Sequence, residues 1–285
     1  MPGNPGTYEE GWVGPDGQTL NWQTGCGGGC EFCFARLTGD EKGWCKWENW
    51  TSPVIRMKDV TKGYRRRSGR IMMPSSHNID QTNVMVAVQV LRKLLDTGNK
   101  DILVVMKSHP DVITTLCKEL EGIIPEIELR HSIPTLDEKL RKVLMPGCPT
   151  VDQMLLSVET AKQYKARQSV NVGPYVCAKP WEVVEKVVEL GIKPENIWME
   201  PMSHRTKLYK RSAVLRKYKD QLERIYSPTY MRKIKNVLDD RGLHIRYKQT
   251  FLNTMARESD LLLYFQPSMN GTRDSRSGND GDCQI

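Results

Sequence analysis

The 285-residue sequence predicts an α/β fold: a partial (β/α)6, TIM-like barrel with a helical, basic C-terminal extension. Three observations lead there. Short apolar runs alternate with helix-period segments, the pattern of βαβ units on a mainly parallel sheet. One run, ILVVM at 102–106, is apolar at every position, as in a strand buried on both faces. Beyond residue 205 the alternation gives way to a long helical stretch rich in Lys and Arg.

Residues 1–17, rich in Gly and Pro, read as an irregular lead-in. A first strand is expected at 19–24, ending at a cysteine-containing loop. The second, RIMMP at 70–74, precedes a helix over 81–95. Its apolar Val84, Val88, Leu91 and Leu95 recur at three- and four-residue steps. After the strand at 102–106 come a helix at 111–120, a strand at 127–133, and helices at 137–144 and 151–164. A fifth strand is expected at 169–176, then a helix at 181–190 stopped by Gly191. The sixth strand is IWMEPM at 197–202. The basic helical region runs to about residue 240, and LHIRYKQ at 243–249 adds a last strand. Six such units fit a partial barrel with its function at the C-terminal strand ends; an open doubly wound sheet is the competing topology. The chain thus divides into a lead-in at 1–17, a core domain at 18–205, an extension at 206–266, and a polar tail at 267–285 expected to be disordered.

No apolar run is long enough to cross a bilayer, which excludes a helical membrane span. The N-terminus lacks the basic start and apolar stretch of a secretion signal, so the expected location is cytoplasmic. In a reducing compartment, eight cysteines point to metal binding or catalysis rather than disulfides. Cys26, Cys30 and Cys33 cluster; the rest are scattered at 45, 117, 148, 177 and 283. A net charge of +8 favours an anionic partner. Basic residues gather at 62–70 and 204–219, with Tyr64 and Tyr209 among them, as on nucleic-acid surfaces where rings stack beside phosphate contacts. Two solvated surfaces on a basic protein are the competing account. No oligomerisation signal is evident.

The cysteines lie in Gly25-Cys26-Gly27-Gly28-Gly29-Cys30-Glu31-Phe32-Cys33-Phe34. Three thiolates spaced C-x3-C-x2-C converge on one metal centre only if the backbone turns sharply, and the glycines permit that. Iron–sulfur clusters take thiolate ligands, and three leave one iron open. The alternative is a structural zinc site with Cys45 or His77 as fourth ligand, in a nucleic-acid-binding module without catalysis. Zinc sites usually pair C-x2-C hooks, and only one such hook is present.

This spacing, with an aromatic residue before the third cysteine, resembles the radical S-adenosylmethionine (SAM) superfamily. The resemblance implies a four-iron, four-sulfur (4Fe-4S) cluster on Cys26, Cys30 and Cys33, whose open iron chelates SAM. Electron transfer then cleaves SAM to methionine and a 5′-deoxyadenosyl radical, and Phe32 packs near the adenine. Further pieces are similar to the branch that includes spore photoproduct lyase: Pro74-Ser75-Ser76-His77 after the second strand, Met106-Lys107-Ser108 after the third, Ser132-Ile133-Pro134-Thr135-Leu136-Asp137-Glu138 after the fourth, and the turn Pro146-Gly147-Cys148-Pro149. They occur in order between residues 20 and 202.

In this frame Ser75, Ser76 and Ser132 are candidates to hold the polar end of SAM, and Glu200 its ribose or the substrate. Lys107 is placed to neutralise the SAM carboxylate or serve the substrate. His77 is the first choice among His77, His109, His131 and His204 for an acid, base or ligand. The chain also departs from the lyase, which has a hydrogen-donating cysteine where Ser76 and His77 stand here. Met145 replaces a Glu before the Pro-Gly turn. Thymine-dimer repair by that enzyme's mechanism is therefore not expected, and Cys148 and Cys177 become the candidate hydrogen donors. The implied partners are an electron donor such as flavodoxin or ferredoxin, and a nucleic-acid or nucleotide-like substrate.

Overall fold

A computed structural model describes residues 18–264; the expected lead-in at 1–17 and the tail reading at 267–285 lie outside these described residues. Nine strands are present among them: β1 Gln18–Thr19, β2 Gln23–Thr24, β3 Val54–Ile55, β4 Ile71–Met73, β5 Ile102–Met106, β6 Ile127–Ser132, β7 Arg167–Val172, β8 Ile197–Met199 and β9 Arg246–Tyr247. Seven form one sheet in the order β1-β4-β5-β6-β7-β8-β9, and every neighbouring pair is parallel. The sheet curls into a partial TIM-like barrel, as the alternation predicts, with β9 as the added last strand.

The helices are α1 Phe34–Glu41, α2 Met57–Thr61, α3 Val84–Asp96, α4 Pro110–Glu119, α5 Glu138–Leu144, α6 Val151–Gln163, α7 Pro180–Glu189, α8 Arg205–Arg211, α9 Ala213–Lys217, α10 Lys219–Ile225, α11 Pro228–Asp240 and α12 Gln249–Tyr264. Caps set several starts. His109 caps α4 with Pro110 behind it, Asp137 caps α5, and Thr150 and Gln153 form a capping box on α6. The expected long basic helix is broken into α8 to α11, with Ser212 and Ser227 capping two of the breaks.

Several strand boundaries differ from the sequence reading: the sixth, expected at 197–202, ends at Met199, and the last, expected at 243–249, is Arg246–Tyr247. The expected strand at 19–24 is two short strands. β1 joins the main sheet, whereas β2 turns away to pair antiparallel with β3, Gln23 opposite Ile55. The expected strand at 169–176 ends at Val172, because Gly173-Pro174 follows and proline has no N–H for the ladder.

The core has two parts. One packs α3 and α4 onto β4 to β6, with Leu91, Ile102, Val104 and Ile113 fully buried. The other joins β7, β8, α6 and α7 to the cysteine loop and the C-terminal helices, through Val172, Met199, Leu208, Tyr226 and Phe251. No helix among the described residues is long and apolar enough to cross a membrane.

Candidate active site

The cysteine loop runs from β2 to α1 and lines one cavity with residues at the C-terminal ends of the main sheet's strands. Gly25 takes φ +84° and approaches Trp50 so closely that a Cβ would sit 2.6 Å from the Trp50 carbonyl oxygen; the Cys26 N–H donates to that oxygen at 2.8 Å. Cys33 caps α1, its Sγ accepting from Arg36 N at 3.3 Å. Cys26 Sγ accepts from Asn78 N at 3.3 Å. A Cβ added to Gly28 would lie 3.5 Å from Cys26 Sγ, 3.9 Å from Cys30 Sγ and 3.0 Å from Cys148 Sγ, so three sulfurs surround one glycine.

A cavity of about 420 Å³ opens from this loop across the strand ends. Cys26, Cys30, Cys33, Phe32, Ser75, Ser76, His77, Lys107, Ser132, Cys148 and Glu200 all line it. The strand-end residues are braced by amides. Asn21 Oδ1 accepts from the N–H groups of Ser75 and Ser76 at 2.8 and 3.0 Å, while its Nδ2 donates to Ser75 Oγ at 2.8 Å. The Asn78 side chain pairs with the backbone of Lys107 in both directions, at 2.7 and 3.0 Å.

Burial sets the electrostatics. It holds the Cys26 thiol above its ordinary value and pushes Cys33 up to about 12, with the neighbouring Cys30 adding to both shifts. Cys30 moves the other way, chiefly through its hydrogen bond with Cys148 and with help from the Lys107 ammonium. For Lys107 burial opposes charge, but the four surrounding sulfurs hold its pKa above the usual lysine value. Its Nζ lies 5.9 Å from the Phe32 ring centre. His77 is 8% exposed, packed edge-on against Trp22 at 4.6 Å, and pushed down to about 3 by burial and by Arg56. Both its ring nitrogens are buried without a hydrogen-bond partner in the structure. It is a neutral imidazole at the cavity wall.

Besides Asn78, two polar cavity residues on the β7–β9 side escaped the sequence reading. Asn171 on β7 donates to Glu200 Oε1 at 2.9 Å, and Lys248, just past β9, pairs with Glu200 Oε2 at 2.6 Å. Gly173 makes room, since a Cβ there would fall 2.1 Å from Glu200 Cγ. Lys248 carried the signal already used for Lys107, a lysine at the C-terminal end of a parallel strand.

Other candidates lie elsewhere. Cys177 faces a separate cleft with Thr135, Leu136 and Asp137, its thiol 3.8 Å from the Pro134 carbonyl oxygen, because β7 stops short of it. His109 contacts Gln153, and His131 is buried against Ser108 and Gln168. His204 precedes α8, and Cys45 points at the Lys46 carbonyl. The basic stretches are extensively paired: Lys207 with Glu41, Arg211 with Asp40, Arg205 with Glu223, Lys62 with Asp59, and Arg70 with Asp101 and Glu128. Tyr209 is buried and Tyr64 is half-buried with its hydroxyl donating to the Asp59 carbonyl, so the Tyr209 ring is not presented for stacking.

The donor set fits an iron–sulfur cluster: three thiols on one loop line a single cavity, beside an ammonium that offsets thiolate charge. Among the described residues, no group of three His, Cys, Asp or Glu side chains is already drawn together around a single-ion position.

No family model matches the chain. The uncharacterized protein ORF301 of Acidianus two-tailed virus is 26% identical over 184 residues, covering 59% of this chain and 60% of that protein. Spore photoproduct lyase complexed with dinucleoside spore photoproduct aligns at a TM-score of 0.47 and 12% identity. A mutant of that lyase with bound AdoMet and dinucleoside spore photoproduct aligns at 0.46 and 14%. Each covers 68% of this chain and 60% of the lyase. The chain therefore spans about 60% of the length of the proteins it matches.

Proposed function

We propose that this chain is a radical SAM enzyme acting on an anionic, nucleotide-like or nucleic-acid substrate. One observation carries the reading: Cys26, Cys30 and Cys33 share a cavity of about 420 Å³ with the hydroxyls of Ser75, Ser76 and Ser132, the ammonium of Lys107 and the imidazole of His77. Cys26, Cys30 and Cys33 would hold a 4Fe-4S cluster. With SAM bound, such a cluster supplies one-electron cleavage of a carbon–sulfur bond, yielding methionine and a 5′-deoxyadenosyl radical.

The chain's own residues bind and orient. Lys107 offers its charge to a carboxylate beside the cysteines, and Ser75 and Ser76, braced by Asn21, offer hydroxyls at the end of β4. Phe32, 5% exposed, gives an apolar wall. His77, neutral and without a protein partner, is able to donate from one ring nitrogen and accept at the other. Glu200, Asn171 and Lys248 form a polar wall on the β7–β9 side, suited to sugar hydroxyls and an anionic group. The net charge of +8 supports an anionic substrate, and a flavodoxin- or ferredoxin-type protein is the proposed electron donor.

Anaerobic reconstitution with iron and sulfide, then addition of reductant and SAM, is expected to release 5′-deoxyadenosine, with Cys33→Ala losing that product. Absence of the product from the wild type, or an equal yield from Cys33→Ala, refutes the reading. Protein purified without oxygen that carries one zinc and no sulfide instead establishes the zinc-stabilised module.

A further inference from the structure

Cys148 lies outside the three-cysteine loop, yet it touches a member of it. Its Sγ is 3.5 Å from Cys30 Sγ and 3.6 Å from the Gly28 carbonyl oxygen. The contact is built from both sides. Gly147 N donates to Gly28 O at 3.1 Å, and Glu31 N to Leu144 O at 2.9 Å. Buried Arg141 holds the turn from behind, donating to the carbonyls of Met145 and Cys148 at 3.1 and 2.9 Å. Two glycines allow the approach: a Cβ on Gly28 would lie 3.0 Å from Cys148 Sγ, and one on Gly147 would lie 2.1 Å from Gly27 O.

Between free thiols either sulfur can donate. Once Cys30 is a metal-bound thiolate it has no proton left, so Cys148 is the donor. We propose that Cys148 is a positioning residue, donating an S–H hydrogen bond to the Cys30 thiolate and easing one-electron reduction of a cluster held on the loop. This inference rests on the iron–sulfur reading above. An added electron increases negative charge on the ligand sulfurs, and a fixed donor stabilises that state more than the oxidised one. A thiol is a weak donor, but burial strengthens its electrostatic effect. The electron comes from a low-potential donor, dithionite in the assay below. The proton stays on Cys148, and no covalent bond forms or breaks.

The test is a redox titration followed by electron paramagnetic resonance, on reconstituted full-length wild type, Cys148→Ala and Cys148→Ser. The midpoint is expected to move to a more negative potential in Cys148→Ala and to return to or above the wild-type value in Cys148→Ser, with equal iron and sulfide in all three. Wild type is also expected to show one exchangeable proton coupling to the reduced cluster that Cys148→Ala lacks, beyond those of the Asn78 and Arg36 N–H groups that donate to Cys26 and Cys33. Equal midpoints in wild type and Cys148→Ala, a serine variant that behaves like alanine, or the same exchangeable couplings in wild type and Cys148→Ala each overturn the proposal. Cluster loss from both variants overturns it by making Cys148 a ligand. A wild type that takes up no iron and sulfide overturns the functional reading itself and this inference with it, an outcome separate from the others.

Discussion

Two buried histidines bring a pH dependence that follows from where they sit. His77 and His131 are 8% and 1% exposed, and burial pushes their pKa values down to about 3 and about 4, from an ordinary 6.5. Between those values the unfolded chain binds a proton that the folded chain refuses, so stability rises with pH in that window. Their contribution is complete above pH 6.5 and is lost as the pH falls. At pH 5 the loss is about 2 kcal/mol for each histidine. Thermal melts of the apoprotein at pH 7 and pH 5 are expected to show it, and His77→Gln should narrow the gap by about that amount. An unchanged gap in the variant would place the titration elsewhere.

At the scale of elements, the cysteine loop depends on the turn between α5 and α6. The Gly147 backbone lies against Gly27 so tightly that a Cβ would overlap the carbonyl oxygen at 2.1 Å, and backbone on one side must move. Gly147→Ala is expected to cost about 1–3 kcal/mol, as overpacking does, and to lower the iron retained per chain after reconstitution. Gly63→Ala, with nothing within 4 Å of its Cβ, is the control expected to change neither. If the two variants melt and load alike, the turn does not support the loop. Coupling of this kind is what the sequence conceals. The C-x3-C-x2-C loop is local and was legible from its spacing, while the serines and Lys107 at strand ends were picked out by strand periodicity together with the resemblance of those strand-end pieces to a known branch. The bracing was not. Asn21 reaches Ser75 across 54 positions, Asn78 reaches Cys26 across 52, and Cys148 reaches Cys30 across 118. Cys177 went astray for a local reason, because its predicted strand ran through Gly173-Pro174, where the ladder ends.

Across the whole molecule, the extension beyond β8 completes the barrel and also holds the cysteine loop. Ser212 Oγ donates to Glu31 Oε2 at 2.5 Å, inside the loop. Lys207 and Arg211 on α8 pair with Glu41 and Asp40 on α1, which Cys33 caps. Tyr226 donates to the Tyr175 carbonyl, and Tyr175 donates to the Ile225 carbonyl at 3.3 Å. Leu208, Leu215, Ile225, Ile234 and Phe251 are each fully buried in the core that also contains Val172 and Met199. Each such side chain contributes about 1.5–3 kcal/mol by leaving water. Removing five of them forfeits about 7.5–15 kcal/mol, comparable with the roughly 5–15 kcal/mol that holds a typical domain folded. A chain ending at residue 204 is therefore expected to lose its cooperative thermal transition, whereas one ending at residue 264 should keep it. Circular dichroism melts of both apoproteins decide the matter without reference to any cofactor. A cooperative melt from the shorter chain would show that β1 to β8 fold alone, and would reduce the extension's ion pairs to decoration on an independent core.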